Sequence, residues 1–301
     1  MTLQPWSHLK KPTPADWGIG MTICIGAISD AYTESSCIVV ASDQMITAEE
    51  ICADNKALKN EPLYMGWSAM FAGDVTAAID VIRAIRAKLG SWRESHKNKA
   101  LDEVMLASVA AYQGQLRKEA ENQVLGRYGL SMAEFLNDGR NKFGDEHFRY
   151  LCGEIEKVIL DLELLIYGYD EFRRPHIFTL LFPGVVRNFE EVGFWAIGIG
   201  QKSALSSLMF QSQNLNTPLG LTIYHVLEAK FMAESAYSIG KETFLCVYDR
   251  DWKCRYLMPS QLAMIRKRWN EEGKPRIPSG IAENIASELI TGESMRSVSQ
   301  K

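Results

Sequence analysis

Met21-Thr22-Ile23-Cys24-Ile25-Gly26-Ala27-Ile28, a polar bend from Ser29 to Ser36, and then Ile38-Val39-Val40-Ala41-Ser42-Asp43 form the stretch on which the reading of the chain turns. Two short apolar runs rich in β-branched residues around a polar turn predict a β-hairpin. Further on, Lys59 precedes Pro62-Leu63 and a third apolar run, Trp67 to Ala72, which closes on Gly73-Asp74. A helical period begins at once, with apolar residues at 75, 78, 79, 82, 85 and 89. Asp74 can cap that helix and Gly90 can stop it. The order is therefore strand, strand, hairpin, helix, with a Thr heading the first strand, an Asp closing the second, a Lys opening the hairpin and a Gly ending it.

This stretch resembles the start of a proteasome-type N-terminal-nucleophile hydrolase. Asp43 and Lys59 are sixteen residues apart, and Lys59 and Gly73 fourteen, intervals that match the family without a gap. The interval from Thr22 to Asp43, twenty-one residues, is longer than usual, and the excess fits in the polar turn. Bacterial proteasome-like proteins also open Met-Thr-x-Cys-(Val/Ile)-Gly, close to Met21–Gly26. The resemblance runs from about Met21 to Met258. It implies an α+β fold, a four-layer αββα sandwich of two antiparallel sheets; helical spacing in the residues themselves adds an inserted helical region within 91–161 and a C-terminal helical tail over 259–301.

What the resemblance implies about chemistry follows from the residue types. The Thr22 hydroxyl would attack a carbonyl while a free α-amine on the same residue takes the proton. An unperturbed α-amine has a pKa of about 7.7–8.0, already suited to a general base. A neighbouring Lys59 ammonium would lower it, and Asp43 would hold Lys59 in place. The backbone N–H of Gly73 would face the oxyanion, where a missing Cβ allows close approach. Ser235 and Ser238 would stand as hydrogen-bonding groups near the nucleophile. The family's specificity-pocket positions fall on Ile46, Ala57, Glu61 and Phe71, with Phe71 as floor and Ile46 as wall, favouring small or modest apolar side chains. Lys56 is a rival for the lysine role, but Lys59 needs no gap to Gly73 and carries the Pro-Leu that follows.

The same residues have ordinary roles as well. A Thr in an apolar strand is a good β-former, Asp43 can be a strand-end turn residue, Lys59 a solvated charge, Gly73-Asp74 a turn and cap, and Phe71 plain core. Two supporting positions also depart from the family. Ile199 stands where many active subunits have Ser within a G-S-G turn, and Ser235 stands where they have Asp. Neither can supply the missing group.

Residues 1–20 are polar, with Pro5, Pro12 and Pro14, and read as an unstructured arm. Thr22 can use an α-amine only if Met21 is gone. Either the arm is a propeptide cut at Met21-Thr22, or Met21 is the true start and is removed. The second route is preferred, and a mature chain beginning at Thr22 is expected.

The 301 residues are 47% hydrophobic and 23% charged, ordinary for a soluble globular protein. A net charge of −4 argues against nucleic acid or an anionic membrane as partner. No apolar run approaches the length of a membrane span, and no secretory signal is visible, so a cytoplasmic protein is expected. Six scattered cysteines without C-x-x-C pairs suggest free thiols and no zinc site. The five histidines form no local pattern, so neither a Ser/His/Asp nor a metal-dependent hydrolase is supported; neither cofactor nor metal is expected. Gly198-Ile199-Gly200 before a helix is a weak phosphate signal, because no third glycine follows.

Helical spacing is expected over Leu101–Leu125 and Glu146–Ile159, with the glycine-containing segment Gly126–Asp145 as a break. Strands are expected at Leu162–Tyr169, His176–Phe182 and Val192–Gly198, a helix at Leu219–Tyr237, a hairpin at Thr243–Tyr248 and Lys253–Met258, and helices near Ser260–Trp269 and Ile281–Ile290. Three functions follow: a threonine-type peptidase acting on peptide or unfolded protein in a homo-oligomeric ring or spiral, with any unfoldase unspecified; a catalytically silent proteasome-like assembly or binding protein; and an amidase of the wider class acting on a small amide.

Overall fold

The computed structural model describes residues 22–48, 51–54, 59–90, 98–236 and 239–274. In chain order the elements are β1 (Ile23–Ser29), β2 (Cys37–Asp43), β3 (Met45–Ala48), β4 (Ile51–Asp54), β5 (Asn60–Tyr64), β6 (Trp67–Gly73), α1 (Val75–Leu89), α2 (Leu101–Ala120) and α3 (Met132–Glu156). There follow β7 (Leu162–Tyr169), β8 (Pro175–Leu181), β9 (Val185–Asn188), β10 (Phe194–Gly198), α4 (Gln201–Phe210), α5 (Leu219–Ala233), β11 (Thr243–Asp249), β12 (Cys254–Tyr256) and α6 (Pro259–Arg268). The chain divides into two compact units between Leu257 and Met258, and α6 belongs to the second.

The first unit is an α+β structure built on two antiparallel five-stranded sheets, ordered β10-β1-β2-β11-β12 and β5-β6-β7-β8-β9. Strands β3 and β4 form a separate hairpin. The expected β1–β2 hairpin is present, with Ile28 opposite Ile38 and Cys24 opposite Ser42. Both of its strands are buried throughout, because each face meets another layer. Cys24, Ile28, Ile38 and Val40 pack with Met70, Ala72, Leu165 and Ile177 of the other sheet. The alternate residues Ile23, Ile25, Val39 and Ala41 point the other way, where α4 and α5 lie on this sheet. The second sheet is covered by α1 and α2. Trp67, Ala69 and Phe71 pack there with Val81, Ile82, Ile85 and Tyr112.

Asp74 caps α1 by accepting from the Thr76 and Ala77 N–H groups, and Gly90 ends it at φ 86°. The segment Gly126–Asp145, expected as a break, is largely helical. Ser131 and Glu134 form a capping box that starts α3 at Met132. Only Gly144, at φ 76°, interrupts the helix. Gly139 sits inside it against Phe135 and Phe148, so this glycine serves packing rather than a turn. The second half of α2 and α3 enclose a small core of their own, formed by Ala120, Val124, Leu125, Phe135, Leu151 and Val158.

The expectation of free thiols throughout fails at one pair: Cys246 and Cys254 are joined by a disulfide. The β11–β12 register sets Tyr248 opposite Cys254 and Cys246 opposite Tyr256. The two cysteines are thus diagonal neighbours on one face, with Cα atoms 6.4 Å apart, within disulfide reach. Cys24, Cys37 and Cys152 are free thiols. Among the described residues, no helix is long and apolar enough to cross a membrane.

Candidate active site

Antiparallel pairing places the start of β1 beside the end of β2, so Thr22 and Asp43 become neighbours although twenty-one residues separate them. Lys59, just before β5, reaches between them from the other sheet. Its ammonium donates to Asp43 Oδ1 at 2.8 Å and also to the Thr22 hydroxyl. Asp43 Oδ1 accepts a second bond from the Ile23 N–H at 3.1 Å. Thr22, Asp43 and Lys59 are all buried, at 5%, 0% and 4% exposure. Asp43 Oδ2 is buried and has no hydrogen-bond partner among the described residues.

Such a pair is expensive to desolvate and stands only because each charge is matched by the other. Its position, on a hydroxyl at the head of a strand, is chemically pointed. An ammonium hydrogen-bonded to a hydroxyl oxygen favours the alkoxide that forms when that oxygen attacks. Cys24, two residues along β1, is no rival nucleophile. Burial holds its thiol far above the usual range, and its Sγ donates to the Phe71 carbonyl at 3.4 Å.

One glycine packs directly on this centre and a second lines the cavity beside it. Gly198, paired with Ile23, has φ 93°, and a Cβ there would lie 2.2 Å from the Thr22 carbonyl oxygen. Gly73 has φ 106°, and a Cβ there would lie 2.1 Å from the Asp161 carbonyl oxygen. Only glycine allows these backbones to approach so closely. Both glycines line a cavity of about 200 Å³ between the sheets.

The structure therefore brings Thr22, Asp43 and Lys59 into contact and sets Gly73 in the adjoining cavity. Other expected site residues lie elsewhere. Ser235 follows α5, is exposed, and donates its hydroxyl to the Met232 carbonyl at 2.8 Å, bonding its own helix end rather than Thr22. Ser238 and Ala57 lie outside the described residues, as does the side chain of Ile46, whose backbone pairs with Ala53. Lys56 also lies outside them. Glu61 is paired with Arg86 at 2.7 Å. Phe71 is buried in the core beneath α1, on the face of β6 opposite Met70 and Ala72. Ile199 is 42% exposed.

Asp161 and Glu163 carry no motif in the sequence, yet both line the cavity beside Gly198. Glu163 lines the same cavity and accepts the Gly198 N–H at 3.1 Å. Burial raises the Asp161 carboxyl, and the neighbouring Asp74 and Glu163 charges raise it further. The signal that could have found Glu163 is a single charge inside the buried apolar run Leu162–Tyr169. Among the described residues, no group of three or more His, Cys, Asp or Glu side chains is placed to hold a metal. No protein-family model matches the chain, and no curated protein matches it significantly.

Proposed function

We propose that this chain is an N-terminal-threonine hydrolase of the proteasome type, a peptidase or amidase working in a homo-oligomer. One observation carries the proposal: a buried Lys59 ammonium bonded at once to the Thr22 hydroxyl and the Asp43 carboxylate. The layering supports it, with two face-to-face antiparallel sheets, helices on each outer side, and Thr22 at the head of a central strand.

In the proposed reaction the free α-amine of Thr22 accepts the hydroxyl proton as Oγ1 attacks the substrate carbonyl carbon. The tetrahedral oxyanion is met by the Gly73 N–H, while Lys59 stabilises charge on Oγ1. The protonated amine then gives its proton to the leaving nitrogen, the C–N bond breaks, and an ester on Thr22 remains. Water, deprotonated by the same amine, hydrolyses that ester and returns the hydroxyl.

This chemistry requires that the Met21–Thr22 peptide bond be absent from the active form. Intact mass and N-terminal sequencing of the protein expressed from its own gene test that directly; a chain beginning at Thr22 is expected. An electrophile directed at N-terminal threonine should label the wild type and not Thr22→Ala. A free Thr22 that takes no label and cleaves nothing in a broad peptide library overturns the hydrolase proposal.

A second reading, a catalytically silent assembly of the same type, is favoured by the Ser235 hydroxyl bonding its own helix and by the exposed Ile199. Self-association is common to both readings. Its support is the apolar surface of α4 and α5, where Met209 and Phe210 are 58% and 83% exposed and Leu221 is 54% exposed. Light scattering should find more than a monomer, and a monomer at every concentration rejects the assembly.

A further inference from the structure

The cavity beside Gly73 and Gly198 continues into a second one of about 100 Å³, and the two share Glu163 and Leu181. Together they form a cleft between the sheets that starts at Gly198, whose backbone packs on the Thr22 carbonyl. The near lobe is lined by Asp161 and Glu163, and among the described residues no lysine or arginine lines it. Glu163 Oε2 takes the Gly198 N–H, and Asp161 has no side-chain hydrogen bond or ion pair among the described residues. In the far lobe Thr179 is 2% exposed, and its hydroxyl has no hydrogen-bond partner among the described residues. It lines the cavity together with Glu163, Gln201 and the exposed Arg187. A buried hydroxyl without a partner and two half-buried acidic residues with no ion pair among the described residues are costly unless something enters to satisfy them.

We propose that this cleft is a specificity subsite that takes a cationic group of the substrate, an ammonium or a guanidinium, beside the amide that Thr22 attacks. The inference rests on the hydrolase reading for its second half, while the cleft's preference for a cation can be measured without turnover. The cation would bridge Asp161 and the free oxygen of Glu163, and the Thr179 hydroxyl would meet the next polar atom of the same substrate. It could belong to a basic side chain or to a free α-amine, since both present the same donors.

The test uses the full chain carrying Thr22→Ala, so that nothing is consumed, and three short peptides measured by calorimetry. The first is N-acetylated with a central lysine, the second is the same with norleucine, and the third carries norleucine with a free α-amine. The expected result is binding at least about tenfold tighter, about 1.4 kcal/mol, for the first or third over the second. Which of the two wins identifies the source of the cation. The preference should vanish in Thr22→Ala/Asp161→Asn, measured at a temperature where circular dichroism shows that protein folded. Equal binding of all three peptides overturns the inference, and this comparison needs no variant of the cleft. Labelling of Thr22 in the wild type is scored separately. Label without cation preference removes the subsite and leaves the hydrolase. Cation preference without label supports the cleft as a cation site and removes the hydrolase.

Discussion

Replacing Lys59 by Met separates a working site from a merely structural one. The Lys59 and Asp43 side chains are 5% and 0% exposed. Asp43 holds two bonds on Oδ1, one from the ammonium and one from the Ile23 N–H, and none on Oδ2 among the described residues. Without the ammonium, a fully buried carboxylate keeps one neutral donor. Breaking a buried pair from one side costs about 3–5 kcal/mol. At about 2–4 °C per kcal/mol for a unit of this size, the first unit should melt about 6–20 °C lower. Thr22→Ala instead removes one hydroxyl and leaves the ion pair whole, a loss of about 0.5–1.5 kcal/mol. Removing both charges, as Asp43→Asn/Lys59→Met, should recover much of the stability but no turnover. Scanning calorimetry with a peptidase assay reads all four proteins. A Lys59→Met protein melting within about 2 °C of wild type would refute the buried-pair reasoning. So would a Thr22→Ala protein as unstable as Lys59→Met.

Gly73→Ala sets a Cβ into the Asp161 carbonyl at a backbone conformation side chains rarely adopt; it should cost at least about 1–3 kcal/mol by urea titration and stop turnover. Phe71→Ala should lower stability by about 3–5 kcal/mol because the ring fills the core beneath α1; an enzyme whose cleavage preference also widens toward larger residues would place the ring at the pocket floor, and an unchanged profile would leave it as core alone. His225 is buried, bonded to Gln213 at 2.9 Å, and burial lowers its pKa below the ordinary 6.5. The unfolded chain therefore takes up that proton first, so this contribution is whole above about pH 6.5 and is lost as pH falls through the lower folded value. His225→Gln should flatten that limb of a stability–pH curve, and an unaltered curve would count against it.

The grouping of the candidate site's core residues was legible because they mark the ends of buried apolar runs. Thr22 and Asp43 bracket a hairpin whose register brings them together, and Lys59 opens the next one. The hairpin, the α1 cap at Asp74 and the strand Leu162–Tyr169 follow from the same local patterns. What escaped needed tertiary knowledge. Strand β9 is a four-residue, largely exposed edge with little apolar pattern. Helix α3 hides Gly139 in packing against two phenylalanines, so a glycine that reads as a breaker is not one. The Cys246–Cys254 link depends on strand register rather than on any spacing motif. Glu163 meets Gly198 only through face-to-face packing of the two sheets. Ser235 was aligned with a site position, but the end of α5 takes up its hydroxyl instead.

Helix α2 belongs to two cores. Its stretch from Val104 to Tyr112 is nailed to the sheet through Val104, Ala111 and Tyr112, while its last turn joins α3 in the small cluster around Phe135. The Tyr112 hydroxyl shares its proton between the Leu160 and Leu162 carbonyls, at 3.1 and 3.3 Å, at the root of the strand that carries Glu163. The boundary between the two side-chain clusters therefore falls within one continuous helix. Amide protons beyond Gln115 should exchange through openings that leave Tyr112 docked, so the arm can melt and re-form while the two-sheet core stays closed.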